Sequence, residues 1–442
     1  MAQSQTDLLY GPDADISVSE AAVLGLQHVF AMDVYVPPLI IAGLLSLGAA
    51  PKTGFLQAAF LACGLGTLVQ TGWLMKMPMS QGPSYVPVGA VVGVYLANGA
   101  SHGGMATVLG ASLVGAILLI LLGCSGFYHK IVNHLVPPLV GGTIIACVGL
   151  SLLPSALNSN IFQAAGNPLQ NIQLALITVG VLLLVIFLGA YWPKLQRYLK
   201  PCSIVIALLV GSLVAASEGL FDWSIIQQAA WITWPKFTVL HYGINFSGNA
   251  ILTFVIIYLI LTAETTGTWF AMSAVTQEPI TNRQWNRGLI GEGLSCLIST
   301  LLGSTPMTGY STNAGIVSIT GVASRRVFLA VGIWFVILGF IGKLAAFLAA
   351  IPAAVIGGIF AVVCVIIMLN GFNVLRTIPA HENDLYIVGL PIVITLALTL
   401  MPAKLIAQAP TILQYFLKSP ITLAAVSAII LNLILRTKST QS

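Results

Sequence analysis

AILTFVIIYLILTAETTGT, residues 250–268, is an apolar run interrupted by one carboxylate, Glu264. Downstream, residues 303–321, GSTPMTGYSTNAGIVSITG, form a small-residue, hydroxyl-rich passage that no lipid-facing helix would carry. Between them lie a short basic loop with Arg283 and Arg287 and a second apolar segment with a second carboxylate, Glu292. A carboxylate inside a membrane span costs roughly 3 kcal/mol on insertion scales, so it faces a cavity or a partner and marks a substrate or proton pathway. The plainer alternative for Glu264 is a hydrogen bond that packs one helix on another.

Composition sets the class. The chain is 57% hydrophobic and 7% charged, against roughly 25% charged in a soluble domain. That excludes an ordinary globular protein and leaves a polytopic membrane protein. The first 15 residues are polar and acidic, so no cleavable leader is expected and insertion falls to the first span. The formal charge of +5 is scattered through loops and offers no nucleic-acid surface. Cys63, Cys124, Cys147, Cys202, Cys296 and Cys364 lie in or beside apolar runs without metal-ligand spacing and read as small hydrophobes.

At about 20 apolar residues per span, the sequence predicts fourteen spans. They fall near 20–49, 54–75, 82–98, 104–124, 136–156, 171–191, 202–219, 248–275, 287–303, 307–321, 327–349, 353–371, 384–401 and 419–436, with no soluble domain expected around them. Segments after even-numbered spans hold twelve Lys and Arg residues, and those after odd-numbered spans only Lys52, Lys236, Lys404 and Lys418. That asymmetry predicts both termini in the cytoplasm.

Two segments are poor as full spans. The third (81–90) contains Gly82, Pro83, Pro87 and Gly89; the tenth (305–320) contains Pro306, Gly309 and Gly315 among hydroxyl residues. Non-helical backbone at membrane depth survives only where protein or a cavity covers it. Broken segments at corresponding places in two halves point to a transporter site. Third and tenth are seven apart, as an inverted seven-plus-seven repeat requires. The linker 218–247, with Trp223, Trp231 and Trp234, reads as an extracellular interfacial segment.

Several side chains could carry chemistry. Thr265, Thr266 and Thr268 make a polar collar around Glu264, with Thr268 on the same helix face. Glu264 can hold a ligand N–H when ionised and exchange a proton during transport. Glu292 either shares in this or holds spans together through hydroxyls such as Ser295. In the first span Gln27 and His28 point to different faces, and His28 either relays a proton or ties two helices. Asp33 needs a partner at its depth. It either pairs with hydroxyls or with Lys343, the only Lys or Arg inside a span, or it faces the cavity. The tenth segment supplies Thr308, Tyr310, Ser311, Thr312 and Asn313, where half-helix N-termini would present backbone N–H groups to ligand carbonyls. Nothing reads as a phosphate-cradling loop, a zinc set or a nucleophile with a placed base. Catalysis, metal and cofactor are therefore not expected, and an intramembrane enzyme would need a reactive pair such as Ser–His.

LGLQHVFAM (24–32), GSTPMTGYSTNAGIVSITGVASR (303–325) and IGKLAAFLAAIPAAVIGG (341–358) resemble the nucleobase–ascorbate transporters, also called nucleobase–cation symporters. The likeness runs from about Ala21 to Arg436. It implies an all-α polytopic fold with fourteen segments in a seven-plus-seven inverted repeat and short strands in segments 3 and 10. It implies a cytoplasmic tail (1–19) and a core domain (20–124 and 248–349) that moves, elevator-fashion, against a gate domain (136–219 and 353–436). It also implies a homodimer in the inner membrane importing uracil, xanthine, urate or a related base, with a proton as coupling ion and sodium as the alternative.

By motif, Glu264 falls on the family's ligand-binding glutamate, Gln27-His28 on its Gln-His pair, and Asn313 with Gly315 on its Asn-x-Gly. The resemblance thus assigns substrate contacts to Glu264, Thr268, Thr312, Asn313, Tyr310 and the backbone near Ala90. Gln27 and His28 by motif, with Asp33 and Glu292 as carboxylates inside spans, are expected to serve proton coupling and core support. Three positions depart from the pattern: Thr312 replaces a Gln or Glu, Thr268 an Asp or His, and Asp33 an apolar residue. The alternative is an anion exchanger of the same repeat architecture, which Glu264 would repel unless protonated.

Overall fold

The computed structural model describes residues 8–32, 34–99, 102–128, 137–234, 241–310, 312–376, 378–379, 381–402, 405–406, 408, 417 and 420–435. Asp33 and Ser311 lie outside the described residues, and Thr312 is described by its backbone alone.

The first apolar stretch is two helices, α1 (Val18–Ala31) and α2 (Val36–Leu44). Ser17 caps α1 by accepting from the Glu20 N–H. Pro37 and Pro38 lack amide hydrogens, so they begin a new helix where they could not extend the old one. Next, α3 (Ala49–Thr67) runs on through a π-helical turn, Leu68–Leu74, toward the strand β1 (Gln81–Pro83) and the half-length helix α4 (Val88–Ala97). Then come α5 (His102–Cys124), α6 (Pro138–Pro154, with a π-turn Ser155–Phe162), α7 (Pro168–Tyr191), α8 (Pro193–Ser217) and the short α9 (Trp223–Gln228).

The second half repeats the interruption. α10 (Gly248–Thr276) and α11 (Asn282–Leu302) lead to β2 (Met307–Gly309) and another half-length helix, α12 (Thr312–Thr320). α11 starts ahead of the expected ninth span because Thr281 and Gln284 form a capping box. α13 (Arg325–Phe340), α14 (Gly342–Ala350), α15 (Ala353–Arg376), α16 (Asp384–Thr399) and α17 (Pro420–Leu435) complete the chain. The expected eleventh span is divided between α13 and α14 at Ile341. Among the described residues, six helical runs are long and apolar enough to cross a membrane: Ala49–Leu74, Gly103–Cys124, Pro138–Phe162, Pro168–Tyr191, Gly248–Trp269 and Ala353–Arg376.

Packing groups these helices. α5 packs on α10 and α11, α3 on α11 and α13, and α1 on α13, whereas α6 packs on α15 and α16, α7 on α8 and α15, and α16 on α17. Between α3, α10 and α11 the two strands pair antiparallel, with Gln81 opposite Gly309, Gly82 opposite Thr308 and Pro83 opposite Met307. Every residue of both strands is buried. Gly82 is needed there, because a Cβ would stand 2.3 Å from the Tyr310 ring.

Two further contacts matter below. Residues 10–16 lie along the turn between α12 and α13: the Tyr10 N–H donates to Gly321, the Ala323 N–H to Tyr10, and the Arg325 N–H to Pro12. Arg325 pairs with Asp13 and Arg326 with Asp15 above an apolar cluster of Ile16, Ala21, Val322 and Val327. At the other end of the bundle, the Lys343 ammonium donates to the Ile226 carbonyl at 2.7 Å and lies 5.6 Å from the Trp231 ring. The last carbonyls of α9 lack intrahelical donors, and Lys343 supplies one. The described contacts of its ammonium are thus with the 223–231 segment, and the alternative pairing with Asp33 lies outside the described residues.

Candidate functional site

The strand pair is flanked by two carboxylates, brought up by α10 and α11. Glu264, in mid-α10, is half-buried and accepts a 2.6 Å hydrogen bond from the Ser84 hydroxyl, one residue past β1. Ser84 is fixed in turn. Its N–H donates to the Pro306 carbonyl just ahead of β2, and its Oγ accepts from the Val86 N–H. Among the described residues no other hydrogen bond reaches the Glu264 carboxylate, which leaves one oxygen for a ligand.

Glu292, in mid-α11, is fully buried. Its Oε1 accepts from the Thr265 hydroxyl, and its Oε2 takes no bond among the described residues. Thr265 Oγ1 also lies 2.6 Å from Thr308 Oγ1 and accepts from the Gly309 N–H at 3.2 Å. One hydroxyl can donate once and accept twice, and Thr265 does all three. Adjacent residues of α10 therefore do different work: Glu264 reaches Ser84 beyond β1, and Thr265 ties Glu292 to β2. The expected tie of Glu292 to Ser295 is absent. Ser295 donates back to the Gly291 carbonyl at 2.7 Å, as mid-helix serines do.

The remaining collar is satisfied locally. Thr268 donates to the Glu264 carbonyl at 3.1 Å. Thr266 Oγ1 lies 2.6 Å from the Tyr128 hydroxyl and donates to the Thr262 carbonyl. Asn313 and Tyr310 hold the strand frame: Asn313 Nδ2 (3.1 Å) and the Tyr310 N–H (2.9 Å) both donate to the Ser80 carbonyl. Asn313 Oδ1 is buried without a partner among the described residues. Ala90 is buried in the first turn of α4. First-turn N–H groups have no intrahelical acceptor; in this turn and that of α12, which starts at Thr312, Val88 donates instead to the Tyr85 carbonyl and Asn313 to the Tyr310 carbonyl.

His28 lies elsewhere in the packing. Its Nδ1 sits 2.9 Å from the Leu24 carbonyl and its ring packs edge-on to Phe328, joining α1 to α13. None of these partners is a carboxylate. Gln27, its neighbour, is half-buried. The ion pairs among the described residues are those of Arg325 and Arg326, so no basic side chain compensates Glu264 or Glu292 there. A cavity of about 690 Å³ opens near Gln57, Thr233, Trp234 and Tyr242, but neither carboxylate lines it. The hydrogen-bonded carboxylates, not that cavity, locate the site. Sequence reasoning passes over Ser84; its only signal is a hydroxyl between Pro83 and Pro87 in a broken span.

Comparison with known proteins agrees with this architecture. A family profile described as a permease family matches residues 19–404. The chain is 28% identical over 424 residues to the nucleobase transporter PlUacP of Paenibacillus larvae, covering 94% of both chains. It is 27% identical over 424 residues to the xanthine permease of Bacillus subtilis, covering 93% of this chain and 92% of that one. The transmembrane domain of a cyanobacterial bicarbonate transporter, BicA, superposes with a TM-score of 0.61 at 17% identity, covering 96% of this chain and 99% of that one, which is a likeness of fold. This mostly helical membrane protein belongs to the xanthine/uracil permease family of transporters.

Proposed function

We propose that this transporter imports a planar nitrogen heterocycle of the nucleobase class, such as xanthine, urate or uracil, together with protons. The observation that carries the reading is Glu264: half-buried, fixed by Ser84, with one oxygen unclaimed and no cation among its described partners. Such a carboxylate suits a ring N–H and takes up the coupled proton, with Glu292 linked to it through the neighbouring Thr265. Ring carbonyls meet first-turn N–H groups of α4 near Ala90 and of α12 near Thr312, while the Asn313 N–H is held by the Tyr310 carbonyl. The names of the relatives above support the substrate class.

In this reading segments 20–124 and 248–349 are a core that carries the site, and 136–219 with 353–436 are a gate. Fourteen segments form two inverted sevens, in a homodimer of the inner membrane. The close packing of α1, α3, α5, α10, α11 and α13 on one another, with sparser contacts to α6–α8 and α15–α17, supports the division. Lys and Arg asymmetry supports cytoplasmic termini.

The test is uptake of labelled xanthine by cells expressing the protein, with unlabelled uracil, urate, hypoxanthine or bicarbonate as competitors. Purine bases should compete and a proton uncoupler should abolish accumulation. Competition by bicarbonate alone would replace the reading with anion exchange.

A further inference from the structure

Gln81 opens β1, and its side chain has no part in the strand pairing. Its backbone is held on two sides: the N–H donates to the Thr67 hydroxyl at 2.9 Å, and the residue stands opposite Gly309 across the strand pair. A Cβ on Gly66 of α3 would stand 3.2 Å from the Gln81 Cβ and 2.9 Å from Ser295 Oγ, so this glycine leaves the space where α3, β1 and α11 come together. Ser295 follows Glu292 by three residues, about one turn of α11.

Gln81 is fully buried, and neither its Nε2 nor its Oε1 has a hydrogen-bond partner among the described residues. A buried side chain with all its polar atoms unused is uncommon in a packed interior. The carboxamide faces the Glu292 carboxylate. There, too, one atom is unused: Oε1 accepts from Thr265, and Oε2 accepts nothing among the described residues. The other titratable groups that act on Glu292 are Glu264 from α10, Cys296 from its own helix and Tyr128 beyond α5. The strands carry none, and Lys52 and Cys63 of α3 are not among them. The Cys296 thiol donates to Met307 and the Tyr128 hydroxyl to Thr262, so neither supplies the missing contact.

An ionised carboxylate needs a donor, whereas a protonated one is itself a donor and needs an acceptor. A carboxamide offers either. Its NH2 and C=O exchange places by half a turn about the last side-chain torsion, which is broad and roughly two-fold. No basic side chain pairs with Glu292 among the described residues, so no fixed positive charge ties it to one protonation state.

We propose that Gln81 is a positioning residue for Glu292: its carboxamide donates to Oε2 of the ionised acid and, after half a turn, accepts from the O–H of the protonated one. The proposal rests on the reading that the carboxylate site couples transport to protons. On protonation an O–H bond forms at Oε2 with a proton taken from water. On release that bond breaks and the proton returns to water, while the carboxamide keeps both of its own hydrogens. The exchange takes place at the head of the strand that leads to Ser84 and so to Glu264, which puts proton and ligand on one element.

The test measures binding of labelled xanthine to the purified protein in detergent over a series of pH values. Each variant is compared with wild type at the same pH, so the ligand's own titration cancels. Gln81→Met keeps the length of the side chain and removes both contacts. The contact with the charged form is the stronger of the two, so the pH at which binding is half lost should rise by about one unit, the scale of one hydrogen bond. Gln81→Glu sets a second carboxyl against Glu292, and because two such groups resist ionising together it should move the profile the same way and further. In a Glu292→Gln background, adding Gln81→Met should change binding by less than about twofold at every pH. An unmoved profile in both Gln81→Met and Gln81→Glu overturns the proposal. So does a loss of affinity by one factor at every pH, which would make Gln81 an anchor of the strand alone, or an equal shift with and without Glu292. A wild type whose xanthine binding ignores pH removes the coupling reading itself, and this role with it.

Discussion

Thr265 shows how much one side chain can join. Its hydroxyl donates to Glu292 and accepts from both Thr308 and the Gly309 N–H. Thr265→Val keeps the shape and removes all three bonds, leaving a buried carboxylate oxygen and a strand N–H unpaired. It should lower stability by roughly 1–3 kcal/mol per group left unsatisfied and abolish uptake, whereas Thr265→Ser should retain most of both. A melting curve in detergent with parallel xanthine uptake checks this; a Val variant that behaves like wild type removes the hub. The threonine is visible in the sequence as part of a collar, but its role is not. Which collar hydroxyl meets a partner depends on where β2 lands across from α10, and no local pattern encodes that. His28 and Lys343 are similar cases: the residues stand out, and their partners Phe328 and the α9 carbonyls lie far away in sequence.

At the scale of elements, the two interrupted segments were the legible part. Pro and Gly clusters with hydroxyls at 81–90 and 305–320 cannot be lipid-facing helices, and strands with half-length helices stand there. The pairing itself needs Gly82, since its missing side chain seats the Tyr310 ring. Gly82→Ala should cost roughly 1–3 kcal/mol by overpacking and weaken xanthine binding, and Tyr310→Leu in the same chain should restore part of both. Failure of the second change to rescue would mean that the ring is not what the glycine accommodates. The π-turn of α3 was not legible, because an extra residue in a helical turn leaves the apolar pattern of a span intact. The strap 10–16 was also missed, since it reads as a polar tail. Its exposed ion pairs are worth little, whereas Ile16 is buried with Val322 and Val327. Ile16→Asn should therefore lower the melting temperature by several degrees, an order of about 1–3 kcal/mol, and Asp13→Asn should change it little. The reverse order would place the strap's strength in its charges.

For the whole molecule, composition alone was enough to require a membrane protein, because a chain this poor in charge has no soluble alternative. The helical, many-span architecture followed from hydropathy, and the family from three motifs spread across its length. Hydropathy could not show that the first and eleventh stretches are each broken, since Pro37-Pro38 and Ile341-Gly342 interrupt the backbone without interrupting apolarity. The site emerges only when both halves are folded together, with α10 and α11 of one half facing the strand and π-turn of the other. In the proposed reading, that joint placement lets Glu264 serve ligand and proton together. It is tested most directly by accumulation of labelled xanthine in proteoliposomes under an imposed pH gradient, wild type against Glu264→Gln. The variant should reach the membrane and fold yet show no accumulation above the medium, while wild type concentrates xanthine until the gradient is collapsed. Accumulation by Glu264→Gln equal to wild type would remove Glu264 from both recognition and coupling.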